Sequence, residues 1–139
     1  IHPPHYGVFM RSLLLSLLLI SAPLVHATDS SSDQRGAVQA NFDDFQANYN
    51  SLVFSLSGYI ASLEEDEEDV YAGHQLCSNG QQMVKLFQNN ARFAKEFDKT
   101  YAPDLTYADS LKMWQDTAKE SQEGCAKLKK EYDKLDLSL

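Results

Sequence analysis

Basic residues are scarce: the 139-residue sequence sets 12 Lys and Arg against 20 Asp and Glu, a formal charge of −8. Phosphate binding needs clustered cations, so this balance excludes a basic nucleic-acid-binding surface. Histidine is scarcer still, because His2, His5 and His26 fall in the leading segment and only His74 remains beyond it. A Ser-His or Cys-His system would rest on that one residue with no nucleophile motif near it, so no catalytic residue is assigned and a non-enzymatic role is expected. The two cysteines, Cys77 and Cys125, form neither the Cys-x-x-Cys spacing that lowers a thiol pKa nor a Cys-x-x-Cys-His haem attachment. Axial haem ligation fails on height, since His74 and Met113 would stand ~28 Å apart on paired helices and Met83 shares the helix of His74. The acidic run at residues 64–69 lacks the alternating ligands and central Gly of a calcium loop, so neither metal nor cofactor is expected. What is present, 43% hydrophobic and 11% aromatic residues with 23% charged, is a globular composition of single-domain length.

The leading segment reads as an export signal. Met10-Arg11 precedes the apolar run Ser12 to Ile20, followed by Pro23 and the small-x-small site Val25-His26-Ala27, which predicts cleavage after Ala27. Ile1 to Phe9 read as sequence upstream of the signal. The run is too short for a ~20-residue membrane span, so no span is expected after cleavage, and Thr28-Asp29 offers no cysteine for lipid attachment. Three regions follow: residues 1–27 as upstream sequence plus signal, residues 28–34 as a flexible Ser/Asp-rich leader, and residues 35–139 as a helical domain. The expected destination is the periplasm or the extracellular medium. Charge beyond the signal is lopsided, with one Arg and ten acids in residues 28–69 and ten basic residues against ten acids in residues 70–139.

Apolar periodicity specifies helices. Val38, Phe42, Phe45, Tyr49, Leu52, Leu56, Tyr59 and Leu63 follow spacings of 4 and 3, a coiled-coil-like stripe that Val53, Phe54 and Ile60 widen toward a bundle core. Tyr107, Leu111, Trp114, Ala118, Ser121, Cys125, Leu128, Tyr132 and Leu135 repeat the pattern, with Pro103 ahead of them and Thr106 as a candidate cap. Between them, Val70 to Tyr101 carries a blurred stripe in which Ser78-Asn79-Gly80 predicts a kink or break. The run Glu64-Glu65-Asp66-Glu67-Glu68-Asp69 contains no Gly or Pro, so a reversal there competes with one continuous helix that would force dimerisation. Repulsion among adjacent like charges favours the reversal, with the acids at the start of the second helix, where the dipole suits them. The resulting expectation is an all-α, antiparallel up-down-up bundle of three long helices, monomeric rather than dimeric.

In a helix hairpin about Pro103, Cys77 and Cys125 would sit within ~6 Å of the same height on inward stripes. In an oxidising compartment that predicts one interhelical disulfide. Two binding surfaces are candidates. Glu64, Glu65, Asp66, Glu67, Glu68 and Asp69 form an acidic patch suited to a basic protein partner, whose approach it would steer. Alternatively, Phe42, Phe45, Tyr49, Phe87 and Trp114 line an interhelical cavity for a small apolar ligand, which would make the protein a carrier.

Overall fold

The computed structural model describes residues 33–135, so the expected signal segment and most of the Ser/Asp-rich leader lie outside the described residues. Those described are all-helical: α1 (Phe42–Glu65), α2 (Val70–Asn89), a 3-10 turn (Ala91–Phe93), α3 (Ala94–Tyr101), α4 (Tyr107–Glu120) and α5 (Gln122–Asp133). Five helices thus stand where three long ones were expected. The extra breaks have side-chain causes.

Asn41 starts α1 by accepting the backbone N–H of Asp44 on its side chain, and Asp43 and Asp44 occupy the dipole-favoured first turn. Of the expected stripe, Phe45, Tyr49, Leu52, Leu56 and Leu63 are buried and Tyr59 is half-buried, and Val53 and Ile60 widen it. Two residues expected on the buried face are exposed instead. Val38 precedes the helix and is 70% exposed, while Phe54 points outward at 45% exposed.

The chain does reverse at the acidic run, and it does so with carboxylates in place of Gly or Pro. The Asp66 N–H donates to Ser62 O and that of Asp69 to Asp66 O, while the Asp66 carboxylate accepts the N–H of Glu68 at 3.0 Å. Asp69 then caps α2 by accepting the N–H of Ala72 at 2.9 Å. Only Asp69 occupies the dipole-favoured position; Glu64 and Glu65 close α1, where the dipole opposes them.

Helix α2 runs through Ser78-Asn79-Gly80 without a break. Asn79 is 3% exposed and donates to Gln75 O at 2.7 Å while accepting from Arg35, so its polar groups are occupied inside the helix. The break comes instead at Asn90. Its buried amide donates to Leu86 O and Ala37 O and accepts the N–H of Gln39, which ends the helix and anchors a neighbouring segment together. Downstream, Thr106 caps α4 as its position suggested, accepting the N–H of Asp109. Ser121 divides α4 from α5 by donating its hydroxyl back to Thr117 O at 2.8 Å, a bond that bends helices.

α2 is the central element, in contact with α1 on one side and with α4 and α5 on the other. It runs antiparallel to α1, with Tyr49 against Phe87 at one end (5.8 Å between ring centroids) and Tyr59 against Tyr71 at the other (6.3 Å). It runs antiparallel to α4 and α5 as well, through Phe87–Tyr107, the Cys77–Cys125 disulfide and His74–Tyr132. The expected disulfide is therefore present, joining α2 to α5 with a Cα–Cα distance of 5.9 Å across 48 residues of chain.

A strap formed by residues 33–41 completes the fold. It lies along α2, parallel to it, as Arg35 meets Asn79, Gly36 meets Gln82 and Asn89, and Ala37 and Gln39 meet Asn90. Gly36 is required by proximity: a Cβ there would fall 2.7 Å from Lys85 Cβ and 2.8 Å from the Gln82 carbonyl oxygen.

Candidate functional site

Tyr71, His74, Ser78 and Gln81 follow one another at helical spacings of 3, 4 and 3 along the outer edge of α2. Tyr71, 47% exposed, meets the ring of Tyr59 on α1 and that of Tyr132 on α5, at 6.3 and 6.2 Å between centroids. Tyr132 then stacks on His74 at 4.0 Å, nearly parallel. Four rings thus make a strip that begins two residues after the acidic turn. Glu64, Glu65, Asp66, Glu67 and Glu68 are exposed there and Asp69 is half-buried, so the six acids form one charged end of the molecule.

At its other end the strip opens into a groove of 370 Å³ between α2 and the α4–α5 pair. The disulfide, Trp114, Gly80, Ala118 and Ala126 supply its apolar surface, and His74, Ser78, Gln81, Thr117, Ser121, Gln122 and Lys129 its polar rim. The groove exists because the facing positions are small, so two helices joined by a disulfide do not fill the space between them. Lys129 is ion-paired with Asp133 at 2.9 Å, both side chains being exposed. Partial burial of His74 and the neighbouring Lys129 charge lower its pKa below the usual imidazole value, against the opposing pull of Asp133. The imidazole is therefore neutral at physiological pH.

The five aromatics expected to line a cavity divide between two places. Phe45, Tyr49 and Phe87 are buried in the core with Phe97 and Tyr107, ring against ring, and Phe42 lies half-buried against Phe45 and Phe93. Trp114 alone reaches the groove. In the ring cluster, burial raises the pKa of Tyr49 strongly, and that of Tyr107 is pushed up to about 12 while its hydroxyl donates to Phe87 O. Both phenols stay protonated, and their role is to pack.

Two features escaped the sequence reading. Arg35, the single basic residue of residues 28–69, is tied down by the Asp33 carboxylate, the Ser51 and Ser55 hydroxyls and the Asn79 amide oxygen. Burial acts to raise the Asp33 pKa, but hydrogen bonds and charge from Arg35, aided by Lys85, outweigh it and hold the carboxyl below the usual range. The isolation of Arg35 in an acidic stretch was the available signal. The ring strip was the second omission; its signal was the Tyr71/His74 pair at i, i+3 on the non-core face.

Among the described residues, no three His, Cys, Asp or Glu side chains converge where they could hold a metal ion, and no helix is long and apolar enough to cross a membrane. No known protein family, curated protein or solved structure matches the chain.

Proposed function

We infer that this is an exported, non-enzymatic protein that acts by contact with a protein partner bearing basic groups. One observation carries the reading: the exposed acidic turn adjoins a ring strip in which Tyr71 is exposed and Tyr59, His74 and Tyr132 are half-buried, so charge to attract a partner and apolar area to retain it lie next to each other. The Cys77–Cys125 disulfide is compatible with an oxidising compartment, periplasmic or extracellular, and supports export in that limited sense. In this reading the protein is monomeric, and its five helices behave as three rods: α1, α2 with α3 following its break, and α4 with α5. The acidic end accelerates encounter, and the interaction weakens as salt screens it.

A photo-crosslinking side chain at position 68, compared with one at exposed Glu120, tests this on the protein recovered from an exporting host. A discrete adduct to a basic protein is expected from position 68, falling ~tenfold as salt is raised from low to high ionic strength. Equal adducts from the two positions, or adducts indifferent to salt, would sink the reading.

The groove favours one second reading, carriage of a small apolar ligand against Trp114 and the disulfide. Its 370 Å³ falls at the lower end of the ~300–1,000 Å³ typical of ligand pockets. Native mass spectrometry of the unreduced protein tests it: a reproducible small adduct supports the carrier, a bare chain rejects it.

A further inference from the structure

The acidic turn, the ring strip and the groove follow one another along a single edge of α2. From Asp69 to Gln81 this edge measures ~18 Å at 1.5 Å per residue, the length of five or six residues of an extended chain. Its chemistry is graded along that length. Six acids stand at one end, four rings with tyrosine faces follow, and the groove with Trp114 closes the other. Lys129, which lines the groove and pairs with Asp133 at 2.9 Å, places positive charge at that end, so the groove suits an apolar side chain and a guest's cations belong toward the acids. We propose that this edge is a docking surface for an extended segment of a partner protein, whose Lys or Arg side chains lie over the tyrosines and toward the acids while an apolar side chain enters the groove.

The assignment rests on the partner-binding reading above and gives it an address and a chemistry. Ring faces attract cations through their negative quadrupole, and nearby carboxylates strengthen that attraction. A second copy of this chain fits poorly, because it would bring the same six acids to the surface it covers. A small ligand in the groove would leave the strip and the acids unused.

The test titrates the intact, oxidised protein with a capped hexapeptide of alternating Lys and Leu, and with its Glu-Leu counterpart. Trp114 is the protein's one tryptophan, so with a tryptophan-free peptide its emission reports groove occupancy, while amide shifts report the rest of the surface. The Lys peptide is expected to change Trp114 emission and to shift Tyr71, His74 and Ser78 together; the Glu peptide is expected to do neither. Tyr71→Ala should weaken binding ~fivefold through loss of a cation-binding ring face. Ala126→Phe, which fills the groove from an exposed position, should abolish the Trp114 response with the helical circular dichroism retained. Binding confined to the acidic turn, with Trp114 and the strip silent, would overturn the docking surface and leave the partner reading standing. Absence of binding by the Lys peptide even at low salt would overturn both. A Trp114 response to the Glu peptide equal to that of the Lys peptide would point to a small-ligand groove instead and overturn the proposal.

Discussion

The two ends of α2 are held by different means. Around Phe87, rings from α1, α3 and α4 converge: Phe45, Tyr49, Phe97 and Tyr107 all lie within 6 Å of its centroid, and the strap is bonded alongside through Gln82, Asn89 and Asn90. Around Cys77, α5 contributes one buried residue, Gly124, and its attachment rests on the disulfide and on the contacts of Tyr132 with His74 and Tyr71. The heptad spacing is the same in both places. Similar periodicity therefore specifies similar direction, while the size of the side chains at those positions decides whether burial or a covalent bond secures the contact.

Removing the hub of the ring cluster should break the first end. Phe87→Ala is expected to destabilise the whole domain by ~3–5 kcal/mol, read from denaturant midpoints, because the cavity would lie where four helices meet. Replacing Cys77 and Cys125 together by Ser should cost up to ~4 kcal/mol in the loop-entropy account for a bridge across 48 residues. Its signature should be regional: hydrogen exchange accelerates first in α5, with the amides around Phe87 retaining protection. An equal loss of protection at both ends would erase the contrast.

Two smaller changes sharpen it. Arg35→Ala should cost ~2 kcal/mol, since it leaves Asp33 and Asn79 without their charged partner at a partly exposed site. The same strap should respond to acid. Because the folded-state pKa of Asp33 is depressed, its contribution is complete above the unfolded carboxylate value of ~4 and is lost as pH falls below it. Urea titrations between neutrality and pH 3 should show that loss in the wild type, and a smaller one in Arg35→Ala. Tyr132→Ala is expected to cost only ~1–2 kcal/mol, the scale of its two ring contacts with Tyr71 and His74, and to loosen α5 without touching the ring cluster.

The sequence carried direction and pairing better than boundaries. Phe45 through Leu63 could be read as one buried face because burial recurs every three or four residues, and Cys77 and Cys125 could be matched by height because helical rise is constant. Asn79 and Asn90 were not separable by composition: each is an Asn in a polar patch, and only the partners that tertiary packing supplies make one a helix interior and the other a stop. Phe54 and Val38 obeyed the local pattern yet stayed outside because, among the described residues, no element covers them. At the candidate site the acidic run was legible as charge, whereas the ring strip was not, since it is assembled from residues on three helices.

The strap gives the fold a mechanical direction. Its bonds to Asn79, Gln82, Asn89 and Asn90 lie side by side along α2 and face the start of the chain. A pull on residue 33 along the helix axis would load them together, in shear, before tension reached the first turn of α1. A pull on the last turn of α5 meets no such array and would peel that helix back to Cys125, where the disulfide arrests it. Drawn from its two ends, the domain would behave as a body with one clamped edge and one tethered flap.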